Sequence, residues 1–273
     1  MNRKTSNWEG QSLAALRERW DRKHVHLYSR IDSTNNQARL LAAEGSPAGT
    51  LVVADEQTAG RGVAKRRWHS PKGAGLYVSL VLRPEQVPNP LLLPVLAGLA
   101  SVRAIVSLLG DVGVGVKWPN DVIVRDRKAG GVLSEGSWTG DEPNYLVLGI
   151  GLNVHQKPSD FPAALRDVAI SLDMATGRNV SRLALADRVI AEVEERCVNP
   201  PESLDREFLK QFDEYDWLRD RRCSIGRADA KPREGTAVGI APDGALLFRP
   251  DRGALERVTS GRVTVPDLPL PAF

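Results

Sequence analysis

Two short segments of this chain gather residue types suited to handling anions. The first is Gly60-Arg61-Gly62-Val63-Ala64-Lys65-Arg66-Arg67-Trp68, which carries four cations within seven residues. Its two glycines let the backbone approach a ligand closely and expose N–H groups, so the loop suits a phosphate or a carboxylate. It is not a P-loop, because no Gly-Lys-Ser/Thr closes it, and it lacks the dinucleotide fingerprint of glycines directly after a strand. Taken alone, it reads as a solvated basic turn. The second segment is Lys117-Trp118-Pro119-Asn120-Asp121. Proline at 119 biases Trp118 toward extended backbone and so keeps Lys117 at a strand end, while Pro-Asn-Asp is good turn chemistry. An ammonium held there is a fixed positive charge; alone, it is equally a surface lysine before a hairpin.

The elements that must position these groups are readable from periodicity. Ser12–Trp20 fits a short amphipathic helix, and His24–Ile31 alternates as a strand. Asp32-Ser33-Thr34-Asn35 resembles a capped helix N-terminus, with the helix running to about Glu44 and ended by Gly45 and Pro47. Strands are expected over Thr50–Ala54 and Leu76–Leu82, on either side of the basic loop. Pro90–Leu109 reads as a long, mostly buried helix with Pro94 near its first turn. Val112–Lys117 is a strand entering a hairpin, Val122–Val124 then Gly131–Glu135, and Tyr145–Val154 follows as another strand. Helices are expected at Leu183–Cys197, capped by Ser181, and at Leu204–Trp217. From Arg221 to Val265 the pattern changes to short β-like pieces around turns such as Pro242-Asp243-Gly244. The division falls near Asp220, giving an α+β domain over 1–220 and a small all-β barrel over 221–273.

Composition narrows the function class. The chain has 273 residues, 42% hydrophobic and 26% charged, which is ordinary for a globular protein. Its net charge of +3 gives no bulk argument for nucleic acid. Cys197 and Cys223 have neither a CxxC partner nor a histidine at metal-ligand spacing, and read as buried reduced thiols. The longest apolar run, around Leu91–Leu109, is interrupted by Pro94 and polar residues, so no membrane span is expected and the location is taken as cytoplasmic.

Combination and order say more than either segment. Ser33-Thr34-Asn35, Gln57 with Ala59-Gly60-Arg61-Gly62, Lys117-Trp118-Pro119-Asn120-Asp121, Lys128-Ala129-Gly130-Gly131-Val132-Leu133 and Gly149-Ile150-Gly151-Leu152-Asn153 follow one another along the chain. The series closely resembles the catalytic domain of the bacterial biotin protein ligases, across roughly residues 25 to 175. The β-rich tail resembles that family's SH3-like C-terminal domain more loosely.

The resemblance implies a mixed-sheet biotin/lipoate ligase-like fold. It implies ATP-dependent formation of biotinyl-5'-AMP and transfer of biotin to a lysine of a biotin carboxyl carrier domain. ATP and biotin are then substrates, Mg2+ accompanies the triphosphate, and no metal ligands are assigned. By resemblance, Ser33, Thr34, Asn35 and Gln57 hold the urea-like head of biotin. Arg61, the backbone of Gly62 and Val63, and Lys117 hold the two anions that must meet, with Arg61 and Lys117 as the catalytic pair. Weaker candidates on the nucleotide side are Gly60, Lys65, Arg66, Arg67, Trp68, Asn120, Lys128, Gly151 and Asn153. No histidine base for the carrier lysine is evident.

One departure stands out. The family loop usually reads Gly-Arg-Gly-Arg-x-Gly-Arg, whereas this chain has Val63 at the fourth position and Lys65 in place of the third glycine. The missing guanidinium implies looser retention of the adenylate. About thirty residues precede Ser33, too few for the winged helix that many relatives carry, so no DNA binding is expected. Homodimers are common in the family, and the sequence marks no interface. The rival readings are a lipoate or octanoate ligase, a non-catalytic biotin-sensing regulator and, last, a nucleic-acid-binding module on the 60–68 loop.

Overall fold

The computed structural model describes residues 2–140, 142–227 and 230–266, apart from the side chains of Lys65, Glu142, Arg227 and Ala230. Along the chain the elements are β1 (Arg3–Lys4), β2 (Asn7–Trp8), β3 (Gln11–Ser12), α1 (Leu13–Arg19), β4 (Val25–Arg30), α2 (Thr34–Ala43), β5 (Leu51–Ala54) and β6 (Gly75–Leu82). They continue with α3 (Leu93–Leu109), β7 (Val114–Lys117), β8 (Asp121–Val124), β9 (Arg127–Thr139), β10 (Glu142–Asn153), α4 (Leu172–Thr176), α5 (Arg182–Cys197) and α6 (Arg206–Tyr215). The last are β11 (Arg222–Arg227), β12 (Ala230–Ile240), β13 (Leu246–Pro250), β14 (Glu256–Val258) and β15 (Arg262–Thr264).

An eight-stranded sheet runs in the order β1-β4-β5-β6-β10-β9-β8-β7. Its parallel pair, β4 with β5, is joined by α2, because parallel neighbours need a crossover. Strand alternation sends each side chain to one of two cores. Leu51 and Val53 of β5, with Leu76, Val78, Leu80 and Leu82 of β6, enter the large core beneath α3 and α5. Val52, Ala54 and Val81 face the opposite side and pack under α2 with Ala38, Ala42 and Val147. Covered on both faces, β5 and β6 are buried at every position.

That alternation also places the polar groups. Ser79 of β6 points to the α2 side, and its strand partner on β10 is Gly149. On β9, Gly131, Leu133 and Glu135 lie opposite Gly151, Gly149 and Val147 of β10. The patch under the start of α2 is therefore floored by two glycines and bordered by Ser79 and Glu135.

The structure corrects several expectations. Ser33 occupies the N-cap position of α2, yet its hydroxyl makes no cap bond; Gln57 Oε1 accepts the Thr34 N–H instead, at 2.8 Å. Pro94 does not break the apolar run, because proline in a first turn gives up a donor that has no partner there anyway. Pro90–Leu109 is continuous, long and apolar enough to cross a membrane, and mostly buried inside the protein. At the N-terminus, β1 adds an edge to the large sheet, pairing with β4. Arg182, reaching Asp55 at 2.8 Å and also pairing with Glu9, ties the β2–β3 hairpin down. Cys197 and Cys223 are free and buried, as expected.

The small sheet, β14-β13-β12-β11-β15, is antiparallel and begins at Arg222. Its interior side chains, including Cys223, Phe248 and Val263, join the large core. Trp118 is buried and donates from Nε1 to the Gly244 carbonyl at 2.9 Å, fixing the start of the β7–β8 turn to this sheet.

Candidate active site

A cavity of about 350 Å³ opens beside the N-terminus of α2, a size suited to a small-molecule site. Ser33, Thr34, Asn35, Gln57, Arg61 and Lys117 all line it. The two segments that the sequence left ambiguous thus share one space. Of the remaining candidates, Gly62, Val63, Arg66, Arg67, Trp68, Asn120, Lys128 and Gly151 also line it.

The neutral end is built by mutual hydrogen bonding. Gln57 Oε1 accepts from the Thr34 N–H and lies 3.1 Å from its hydroxyl, while Gln57 Nε2 donates to Ser70 at 2.9 Å. Asn35 is oriented at both ends of its amide. Its Nδ2 donates to Glu135 Oε2 at 2.9 Å and to the Leu133 carbonyl at 3.3 Å, and its Oδ1 faces the Ser79 hydroxyl at 2.6 Å. Only glycine fits beneath it: a methyl group on Gly149 would lie 2.0 Å from Asn35 Oδ1. Likewise a methyl on Gly151 would lie 2.6 Å from Trp68 Nε1, so the glycines of β10 make room for one residue of each end. Ser33 is 1% exposed, and its hydroxyl has no hydrogen-bond partner among the described residues.

The charged end is strongly positive. Arg61, Arg66, Arg67, Lys117, Lys128 and Arg262 face the cavity against one carboxylate, Asp121. Lys117 sits at the last position of β7, opposite Asp121 in the β7–β8 ladder, with 4.0 Å between Nζ and Oδ2. Burial, helped by Lys128, Arg262 and Arg66, pulls its ammonium below the ordinary lysine range, and Asp121 acts in the other direction. Lys128 is 2.6 Å from Asp121 and 5.6 Å from the centre of the Trp68 ring. Arg61 is held by Glu135 at 2.7 Å and by Asn36 Oδ1 at 2.8 Å.

Some candidates have other duties. Gly62 donates its N–H to the Arg66 carbonyl at 2.8 Å, closing the loop on itself rather than offering a free donor. Asn120 donates to the Val132 carbonyl at 2.7 Å and braces the β7–β8 turn against β9. Asn153 lies outside the cavity, buried, donating to the Ile170 carbonyl at 3.2 Å and accepting from Gln156 at 3.1 Å. Gly60 does not line the cavity, and the Lys65 side chain lies outside the described residues. His69, just after the loop, has Nε2 2.8 Å from the Asp160 carbonyl.

Sequence reasoning missed Ser79, Glu135, Asp121 as a partner of the lysines, and Arg262. Ser79 had a signal, a lone hydroxyl in an apolar strand, whereas Arg262 depends on how the small sheet docks. Among the described residues no group of three or more acids, histidines or cysteines exists that can hold a metal. With its one carboxylate engaged by Lys128, the cavity does not form a metal site of its own, and Mg2+ fits only as part of the nucleotide substrate.

Residues 27–153 match the Biotin/lipoate A/B protein ligase family. A biotin–[acetyl-CoA-carboxylase] ligase of Paracoccus denitrificans is 38% identical over 251 residues, 83% of this chain and 95% of the relative. The bifunctional ligase/repressor BirA of Bacillus subtilis is 39% identical over 242 residues, 85% of this chain and 71% of the relative. The chain belongs to the biotin/lipoate A/B protein ligase family. Among solved structures, the Aquifex aeolicus biotin protein ligase in complex with biotin and ATP superimposes with a TM-score of 0.76 at 28% identity. That match covers 89% of this chain and 98% of the other. The Leishmania major biotin protein ligase with biotinyl-5-AMP gives a TM-score of 0.61 at 27% identity, covering 87% and 99%. The mixed sheet with a small C-terminal antiparallel sheet is thus the family's architecture in this member.

Proposed function

We propose that this chain activates biotin with ATP to biotinyl-5'-AMP and transfers the biotin to a lysine of a biotin carboxyl carrier domain. One observation carries the reading: a single cavity is lined both by neutral hydrogen-bonding side chains and by an excess of cations, as a molecule with a urea-like head and an anionic tail requires.

Ser33, Thr34, Asn35 and Gln57 receive the head. A buried amide group without partners costs ~1–3 kcal/mol, so donors and acceptors fixed in advance select for it. The tail brings the carboxylate to Lys117 and Arg61, where it meets the α-phosphate of ATP. Two anions repel, and the excess of cations over Asp121 offsets that repulsion where charge builds up. A carboxylate oxygen attacks the α-phosphorus and pyrophosphate leaves. Trp68, over Gly151 at the end of the basic loop, supports the adenylate side. The loop shields the mixed anhydride from water until the neutral amine of the carrier lysine attacks the acyl carbon and AMP departs.

Residues 1–220 act as the catalytic unit and the part from 221 on as a smaller one, of which 267–273 lie outside the described residues; its Arg262 lines the cavity. No nucleic acid belongs to this reading, because the loop cations line a cavity rather than an open stripe. Neither does a membrane: the apolar helix Pro90–Leu109 is mostly buried in the core, in keeping with a cytoplasmic enzyme.

The test is incubation with ATP, labelled biotin and a carboxylase carrier domain. Label on the carrier lysine with biotin-dependent AMP release supports the reading. Transfer of lipoate in preference to biotin would redirect it to lipoate chemistry, and biotin binding without AMP would leave a sensor.

A further inference from the structure

We propose that Glu135 is a specificity-determining residue that acts through Asn35: it turns the Asn35 amide so that only a carbonyl oxygen is left for the ligand, and the head pocket demands an N–H donor there. The inference rests on the biotin-ligase reading and extends it to a residue that does not line the cavity.

The orientation of the Asn35 amide follows from the chemistry of its neighbours. Against one end of it lie Glu135 Oε2 at 2.9 Å and the Leu133 carbonyl at 3.3 Å. A carboxylate that also pairs with Arg61 at 2.7 Å accepts and does not donate, and a main-chain carbonyl can only accept. That end is therefore Nδ2, with both of its N–H groups engaged. The other end is Oδ1, which lies 2.6 Å from the Ser79 hydroxyl. Ser79 suits either orientation, because a hydroxyl both donates and accepts, and its second neighbour at 2.8 Å, Thr34 Oγ1, is a hydroxyl as well. Glu135 thus makes the choice. One hydrogen-bonding position on the amide remains, a lone pair on Oδ1, so Asn35 can meet a ligand only as an acceptor.

The neighbouring groups complete a pattern. Gln57 Oε1 accepts from the Thr34 N–H at 2.8 Å and lies 3.1 Å from the Thr34 hydroxyl, which donates to it and leaves Thr34 Oγ1 as an acceptor. Gln57 Nε2 donates one N–H to Ser70 and keeps the other. The Ser33 hydroxyl is uncommitted among the described residues. Acceptors at Asn35 and Thr34 and donors at Gln57 and Ser33 complement a cyclic urea, whose carbonyl oxygen sits between two N–H groups. A dithiolane ring offers no N–H and leaves the Asn35 oxygen buried and unpaired. A ring oxygen in place of one N–H sets two acceptors against each other.

The test compares biotin with its two cyclic carbamate analogues, in each of which one ureido N–H is replaced by oxygen, using calorimetry. The wild-type chain should bind at least one of them about 100-fold or more weakly than biotin, because a fixed acceptor then meets an oxygen. In Glu135→Gln the side chain at 135 can donate as well as accept, so the Asn35 amide is free to reverse. Biotin should then bind within about threefold of wild type, while discrimination against that analogue shrinks by about fivefold or more. The ratio is the readout, since Arg61 also loses a charged partner in this variant. Ser79→Ala is the control: biotin should bind more weakly, with the ratio at its wild-type value. A merely structural role for Glu135 weakens biotin and analogue alike. A ratio unchanged in Glu135→Gln, or one that falls in Ser79→Ala as well, overturns the proposal, as do two carbamates that both bind the wild-type chain within about threefold of biotin. Should Glu135→Gln not fold, NMR of the Asn35 side-chain amide in the wild-type chain decides. Its protons should exchange about tenfold or more slowly than those of an exposed asparagine, with and without biotin, and unprotected protons in the free chain overturn the assignment. Failure of the wild-type chain to bind biotin overturns the functional reading instead.

Discussion

Replacing Lys117 by methionine separates chemistry from folding in a way that other cavity residues do not. Lys117 is 8% exposed, and its ammonium is 4.0 Å from Asp121. At an effective dielectric near 20, unit charges about 4 Å apart interact by ~4 kcal/mol, equivalent to about three powers of ten in rate. Neighbouring Lys128 shares the work, so the expected fall in the adenylation rate is ~10²–10³-fold, the range seen when one preorganised group is removed from a reacting centre. Stability should not follow. Asp121 keeps Lys128 at 2.6 Å, and the lost ammonium was itself held out of water by burial. The assay is biotin-dependent exchange of labelled pyrophosphate into ATP, with the biotin dissociation constant and melting temperature measured alongside. The pH profile adds a sign. Catalysis needs the charged form, so exchange should fall as pH rises through a lysine value lowered by burial, earlier than for an ordinary lysine. In Lys117→Arg, whose guanidinium stays charged, whatever activity remains should not show that alkaline limb. Exchange in Lys117→Met within about fivefold of wild type would refute the role given to this cation.

Four further outcomes follow from the geometry. Asp216 is buried with Oδ2 unpartnered, and burial pushes its carboxyl up to about 6 from 3.8. A raised value means the folded state holds the proton more tightly, so stability is lost as pH rises from about 4 through 6. Asp216→Asn should therefore raise the urea midpoint above that range by up to ~3 kcal/mol equivalent and do little below it. Gly149→Ala places a methyl 2.0 Å from Asn35 Oδ1 and should weaken biotin binding about tenfold or more by calorimetry, through loss of the amide's partners. Val63→Arg restores the guanidinium that the family loop usually carries and should slow adenylate release in the absence of carrier, measured by trapping labelled biotinyl-AMP. Arg262→Ala removes a cavity cation with no ion-pair partner among the described residues, and should raise KM for ATP several-fold while leaving biotin affinity unchanged.

How much was legible in the sequence depended on how local the cause was. The strand character of β5 and β6 and the caps at Ser12, Ser171 and Ser181 arise from neighbours a few residues away, though of the three caps only Ser181 was read. The pairing of Lys117 with Asp121 is also local, yet it was overlooked because the turn between them was read only as a turn. Ser33 deceived for a related reason: its position is that of a cap, but Gln57, more than twenty residues on, took the job and left the hydroxyl facing the cavity. Asn120 and Asn153 belong to motifs the resemblance picked out, and the fold employs both as braces for main-chain carbonyls. Glu135 and Arg262 carried no local signal, since their meaning comes from strand register and from the docking of the small sheet. The two-residue strand at Arg3–Lys4 is too short for any periodicity to reveal.

In the proposed reaction one cavity serves head recognition at Ser33 and Gln57 and anion stabilisation at Arg61 and Lys117. The decisive experiment is a crystal structure of the chain with a non-hydrolysable biotinyl-adenylate analogue. The expected result places the urea head against Ser33 and Gln57 and the acyl-phosphate isostere within hydrogen-bond reach of Lys117. An analogue seated elsewhere, or one whose isostere lies away from both Lys117 and Arg61, would contradict it.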